Sequence, residues 1–269
     1  MTETAPAKVN LVLRVGPRGP DGMHTLASLF ASVDIADELT IEESDSDEIV
    51  CPGVEGENLA ARALIAFRAA GAELPPLRII IEKRIPVAAG LGGGSADAAA
   101  VLRAANHMAP LGEAALKEVA LRLGSDVPSQ LAPGHAVVSG TGGEVEPVGL
   151  PPMVLVLVVQ ERGLATADIY AELDRLRPDA PAPDQRPLRD LAAKPLEQLA
   201  AALHNDLEPA ALSLRAELGD VLGSLRDTGA LGARITGSGP TAFGVYSDRP
   251  AAEAAAARIP GSIVAEIRG

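Results

Sequence analysis

Glycine occupies positions 90, 92, 93 and 94, four of five consecutive residues. The surrounding stretch reads Pro86-Val-Ala-Ala-Gly-Leu-Gly-Gly-Gly-Ser-Ala-Asp-Ala. A β-branched run over 78–83 precedes it, and an alanine-rich run with helical spacing over 95–108 follows, so strand, loop and helix are predicted in that order. Glycine loses more backbone entropy on folding than any other residue, which makes so rich a loop a costly way to build a mere turn. It is the composition expected where the backbone must take positive φ and approach a ligand closely. Ser95 is predicted to cap the helix, leaving first-turn N–H groups and the helix dipole directed at an anion. Successive N–H groups in such a loop form a concave anion nest. Pro86, Val87, Ala88, Ala89, Gly90, Leu91, Gly92, Gly93, Gly94, Ser95 and Ala96 are therefore the candidate phosphate-binding set.

The better-known phosphate motifs do not fit. A Walker A loop needs a Gly-Lys pair, which the chain lacks. In the dinucleotide fingerprint G-x-G-x-x-G, counted from Gly90, the last glycine would fall on Ser95. The protein-kinase HRD and DFG motifs are absent.

The formal charge of −13 argues against nucleic acid and anionic lipid as partners. An acidic chain that binds an anion must do so locally, with backbone N–H groups and a few placed cations. Cys51 is the single cysteine, so neither an internal disulfide nor a cysteine-based zinc site is expected. The first residues, Met-Thr-Glu-Thr-Ala-Pro, lack the basic and apolar regions of a signal peptide. The longest apolar run, 153–159, falls well short of the ~20 residues needed to span a bilayer. A cytoplasmic protein is the expectation. There is no tryptophan, and the aromatic residues are Phe30, Phe67, Tyr170, Phe243 and Tyr246, so few side chains are available to stack on a base.

Strands are predicted over 8–15, 26–33, 38–42, 78–83, 135–139, 153–160, 233–236, 241–246 and 262–266. Helices are predicted over 58–70, 95–108, 112–123, 167–176, 191–202, 208–214, 218–228 and 251–258. The acidic stretch 44–48 and the proline-rich stretch 177–187 read as loops. The natural division lies near 149–152, with a β-rich α+β half before it and helices on a short sheet after it.

Two other stretches, Ala5-Pro-Ala-Lys-Val-Asn-Leu and Ile235-Thr-Gly-Ser-Gly-Pro-Thr, lie far from the glycine loop. In order and spacing the three stretches resemble the three motifs of the GHMP kinases, which include galactokinase, homoserine kinase and mevalonate kinase. The likeness runs from about residue 5 to residue 246. Arg18-Gly-Pro-Asp-Gly-Met-His, Gly124-Ser-Asp-Val-Pro and Asn205-Asp-Leu-Glu-Pro are similar to marks of one branch of the family, which serves non-mevalonate isoprenoid biosynthesis. The resemblance implies a two-domain α+β fold. Residues 1–149 would form a β-rich α+β domain like the second domain of ribosomal protein S5, and residues 150–269 an α/β-plait domain, with a cleft between them.

It also implies transfer of the ATP γ-phosphoryl, with Mg²⁺, to the 2-hydroxyl of a cytidine-diphosphate-linked methylerythritol, by a monomer or homodimer. Lys8 and Asp126 match the family's catalytic pair, while Asn10, Met23, His24, Thr166, Tyr170, Gly237, Ser238 and Gly239 match its substrate-binding positions. No metal-ligand cluster is legible in the sequence. The residue types suit the chemistry, because phosphoryl transfer needs positioning and charge stabilisation more than covalent help. A carboxylate beside an attacking hydroxyl orients it, and a nearby lysine keeps the carboxylate ionised.

Each residue also has a plainer reading. Asp126 is a turn or helix-cap residue, Lys8 a snorkelling surface lysine, His24 a loop histidine, Tyr170 a core aromatic, and 236–241 a glycine turn. Two positions depart from the family pattern. Met23 stands where an aromatic usually precedes the histidine, and Ser129-Gln130 where phenylalanine usually follows Gly-Ser-Asp-Val-Pro. These departures keep open a GHMP kinase with a shifted alcohol substrate. A non-catalytic nucleotide-binding relative is the other alternative, and the retained Lys8, Asp126 and glycine loop count against it.

Overall fold

The computed structural model describes residues 1–54 and 56–267. In chain order come β1 (Thr2–Arg18), β2 (His24–Glu43), β3 (Glu48–Val50), α1 (Leu59–Ala69), β4 (Leu77–Glu82), α2 (Gly93–Met108), α3 (Glu113–Leu123) and α4 (Val127–Gln130). Next come β5 (Ala136–Gly140), β6 (Glu144–Pro147), β7 (Met153–Val158), α5 (Thr166–Leu176), α6 (Arg186–Ala192), α7 (Leu196–Ala201) and β8 (His204–Asn205). The chain ends with α8 (Glu208–Leu214), α9 (Leu218–Asp227), β9 (Gly232–Ile235), β10 (Ala242–Tyr246), α10 (Arg249–Ala256) and β11 (Ser262–Ile267).

These elements form two compact units that do not follow the division expected at 149–150. One unit holds 1–7, 35–87 and 92–134; the other holds 8–34, 88–91 and 135–269. The difference has a topological cause. β1 and β2 are long strands, and each contributes residues to both units. β5 pairs with residues of β2 from the second unit, Leu26 opposite Gly140 and Phe30 opposite Ala136, and β6 pairs in turn with β5.

In the first unit β4 pairs antiparallel with the end of β2, Glu38 opposite Glu82, and parallel with β3, Glu48 opposite Arg78. Leu39, Ile41, Ile79 and Ile81 face a core shared with α1, α2 and α3. Helix α2 buries Ala96, Ala98, Ala99, Ala100, Ala104 and Ala105. Such small side chains let neighbouring helices approach closely. In the second unit β7 lies inside an antiparallel sheet of order β11-β7-β10-β9, which explains why every residue of the strand is buried. Helices α9 and α10 pack on this sheet. β1 pairs in parallel with the short β8, Val12 opposite His204.

Several predicted boundaries moved for local reasons. The helix expected over 191–202 is two helices, α6 and α7, because Pro195 stands at the start of the second and disfavours helical geometry at Lys194. Pro187, expected in a loop, sits in the first turn of α6, where a missing N–H costs nothing. Phe67, Phe243 and Tyr246 are fully buried and Phe30 nearly so; Tyr170 is only partly buried.

Candidate active site

Within the second unit, residues from all three sequence motifs converge. Lys8 and Asn10 stand two apart on β1 and so share one face of the strand. Lys8 is only 5% exposed, so it is no snorkelling surface lysine. Its Nζ donates to Asn10 Oδ1 at 2.8 Å and lies 4.7 Å from the centre of the Phe30 ring. Asn10 Nδ2 donates to Ser28 Oγ at 2.9 Å, and Ser28 Oγ donates to the Val12 carbonyl at 2.6 Å. The Asn10 N–H donates to Thr236 Oγ1 at 3.0 Å. Gly237 follows at φ 56°, and a Cβ placed there would lie 3.3 Å from Asn10 Oδ1, 3.5 Å from the Gly90 carbonyl and 3.7 Å from Lys8 Nζ. The positive φ favours glycine there, and an added Cβ would press only on the Asn10 side chain.

The glycine loop is held from several sides. The Lys8 N–H donates to the Leu91 carbonyl at 3.0 Å. Gly90 has φ 78°, and a Cβ there would meet the Gly239 carbonyl oxygen at 2.6 Å and that of Thr236 at 3.0 Å. Ala88 also takes a positive φ, 54°.

In the first unit, Gly92 at φ 73° is the N-cap residue of α2, and no side chain caps the helix. Ser95 therefore does not cap. The left-handed turn at Gly92 starts the helix at Gly93, two residues earlier than predicted, and leaves Ser95 inside its first turn. Added Cβ atoms test the two glycines that follow. At Gly93 it would lie 3.0 Å from Ile85 Cγ2, whereas at Gly94 it would meet nothing within 4 Å. An uncapped helix start with open space over its first turn has the donors and the dipole for an anion. Asp126 stands at the N-cap position of α4, yet its side chain makes no capping hydrogen bond; Ser129 Oγ donates to its carbonyl at 2.8 Å.

The family described as GHMP kinases N terminal domain matches residues 58–139, and that described as GHMP kinases C terminal matches 188–263. A protein from Thermobifida fusca, named 4-diphosphocytidyl-2-C-methyl-D-erythritol kinase, is 42% identical over 96% of this chain and 91% of its own length. The chain belongs to the GHMP kinase family. A protein of the same name from Anaeromyxobacter dehalogenans is 43% identical over 96% of this chain and 84% of its own. A crystal structure of 4-(cytidine 5'-diphospho)-2C-methyl-D-erythritol kinase is 35% identical, covers 100% of both chains and superposes with a TM-score of 0.82. Among the described residues, no helix of this GHMP kinase is long and apolar enough to cross a membrane.

The remaining motif residues of this GHMP kinase fall into two groups in the second unit. His24 is no loop histidine, because it opens β2. Its ring lies 4.9 Å from that of Tyr170, tilted by 38°, and its Nε2 is 2.7 Å from Asp174 Oδ1. Tyr170 both packs on the core and faces His24. Met23 is 47% exposed. Thr166 Oγ1 and Ser238 Oγ are 3.1 Å apart.

Sequence reasoning missed Asp174, although it stands four residues after Tyr170 on the predicted helix and so shares its face. It also missed the work of Asn205 and Asp206. Asn205 Nδ2 donates to the carbonyls of Ile235 at 2.7 Å and Gly237 at 2.8 Å, fixing the turn that carries Gly237. Burial alone would raise the Asp206 carboxyl. Hydrogen bonds from His204 and the Val15 N–H, with Arg177 at 2.6 Å, hold it below the usual range instead.

Asp206→Ala is expected to lower unfolding free energy by about 2 kcal/mol, since it strands the buried Val15 N–H and strips the partly exposed His204 and Arg177 of their carboxylate. Because the folded carboxyl is held low, its contribution is full above the ordinary aspartate value near 4 and is lost as pH falls below it. Urea melts of both chains at pH 7 and pH 3 check this. Equal stabilities at pH 7 would refute it.

Proposed function

We propose that this chain transfers the γ-phosphoryl of ATP to the 2-hydroxyl of 4-diphosphocytidyl-2-C-methyl-D-erythritol. The observation that carries the reading is the space at Gly237, where Lys8 and Asn10 from the first motif, the Gly90 carbonyl from the second and the third motif's own turn meet. The names of the relatives above support the acceptor.

In this reading the loop residues 86–96 cradle the phosphates with backbone N–H groups, the glycines allowing close approach and the start of α2 supplying the dipole. Asp126 orients the acceptor hydroxyl and takes its proton, and Lys8 balances the charge that develops. An alcohol is a far weaker acid than a carboxylic acid, so the proton leaves late, as the bond to phosphorus forms. Asn10, His24, Thr166, Tyr170 and the turn 237–239 hold the acceptor. No group of three or more His, Cys, Asp or Glu able to hold a metal exists among the described residues. Mg²⁺ would then be held mainly by the phosphates and water, as this ion usually is.

One observation favours a second acceptor. Met23 offers no ring, and the Tyr170 ring faces His24, so the clamp for a base is thin. Base stacking is worth about 1–3 kcal/mol, and a methionine sulfur recovers part of it. A coupled assay of ADP release over a panel of alcohols decides. Turnover highest with the cytidine-linked acceptor is expected. Preference for another alcohol would replace the acceptor, and nucleotide binding without ADP release from any alcohol would end the kinase reading.

A further inference from the structure

Beneath the glycine loop, in the first unit, two buried carboxylates share one ammonium. Asp37 lies on β2, Lys83 directly follows β4, and Asp97 sits on α2, four residues after Gly93. Asp37 is 0% exposed and Asp97 4%. Three donors converge on Asp37: the Arg84 N–H at 2.6 Å and the Ile85 N–H at 2.8 Å reach Oδ1, and Lys83 Nζ bonds Oδ2. Among the described residues Asp97 receives one bond, from Lys83 Nζ to Oδ2 at 2.8 Å, and its buried Oδ1 has no hydrogen-bond partner there. Lys83 also abuts the loop, because a Cβ on Gly93 would lie 3.3 Å from its Nζ.

The charges do not balance if both carboxylates ionise. Asp37, with three donors, is the better counterion for Lys83, so the surplus proton belongs on Asp97. Cys51, on whose thiol Asp97 acts, adds no charge near neutrality, since burial, helped by Asp97, pushes that thiol up. Burial, reinforced by Asp37 and only partly offset by Lys83, pushes the Asp97 carboxyl up to about 7.

We propose that Asp97 is a positioning residue that sets the charge under the phosphate loop, and that nucleotide binding is linked to its protonation. This rests on the reading of 86–96 as the phosphate cradle. With Asp97 neutral the cluster carries no net charge. With Asp97 ionised it carries −1 close to where the phosphates would lie, and binding weakens.

The test measures the ADP dissociation constant from pH 6 to pH 8.5 for the natural chain and for Asp97→Asn, which keeps the shape and removes the charge. The terminal phosphate of ADP titrates in the same range, so the readout is the difference between the two curves. Affinity of the natural chain should fall about tenfold more than that of the variant. Parallel curves would overturn the proposal, although a purely structural role for Asp97 would survive them. Should the variant fail to fold, calorimetry of ADP binding to the natural chain at pH 7.5, in buffers of different ionisation enthalpy, gives the same answer. Net proton uptake supports the linkage, and zero uptake or release refutes it. Absence of ADP binding at every pH would overturn the phosphate-cradle reading and this inference together.

Discussion

Replacing Asp126 by alanine is expected to lower kcat by about 10²–10⁴ while the chain stays folded. The size follows from the role proposed for it, since a positioned acid or base contributes that much when it meets the reacting hydroxyl. The cap geometry favours survival of the fold. Asp126 makes no capping hydrogen bond to α4, so the change forfeits none of the ~1 kcal/mol that a true N-cap side chain supplies. Its backbone carbonyl, which accepts from Ser129 Oγ, is untouched by the substitution. The measurement is steady-state turnover with the cytidine-linked acceptor beside a thermal melt. Loss of kcat with an unchanged melting temperature supports the assignment. Near-normal turnover would remove Asp126 from the chemistry.

The second large effect is expected at Gly90. Alanine there would carry a Cβ 2.6 Å from the Gly239 carbonyl oxygen and 3.0 Å from that of Thr236, at φ 78°. Backbone cannot swing aside as a flexible side chain does, and a left-handed alanine is itself strained by roughly 1–2 kcal/mol. Either the loop or the 236–239 turn must shift, and both belong to the proposed site. Displacements near 1 Å cost about 10²-fold in rate, so kcat/KM for ATP should fall by that order and stability by about 2 kcal/mol. Gly94→Ala is the control. Its Cβ would meet nothing within 4 Å and it lies within α2, so its stability should hold or rise. A Gly90→Ala chain with normal kcat/KM would show that the loop does not need the observed conformation.

The site was legible in the sequence where function leaves a local trace. The run 90–94 announced positive φ, and positive φ occurs at Gly90 and Gly92. Lys8 and Asn10 were singled out by their match to the family's first motif, and the strand expected there does place them on one face. The misses are of two kinds. Ser95 failed as a cap because capping depends on where the helix starts, and a single left-handed residue moved that point. Asp174 escaped notice, and the contacts made by Asn205 and Asp206 within their motif went unread, because most of their partners are remote in sequence. His24 and Asp174 are 150 residues apart, and Val15 and Asp206 are 191.

The sequence by itself determined the composition of the loop, the three motifs in order, the family they point to and the local run of strands and helices, because each depends on residues within a turn or two of one another. Only the tertiary structure decided which of those residues meet. It set Thr236 against Asn10 across 226 positions, gathered Lys8, Asn10 and the Gly90 carbonyl around Gly237, and gave Asp37 three donors while Asp97 received one. Burial and hydrogen-bond partners decide the charge a carboxylate carries, and both belong to the folded chain.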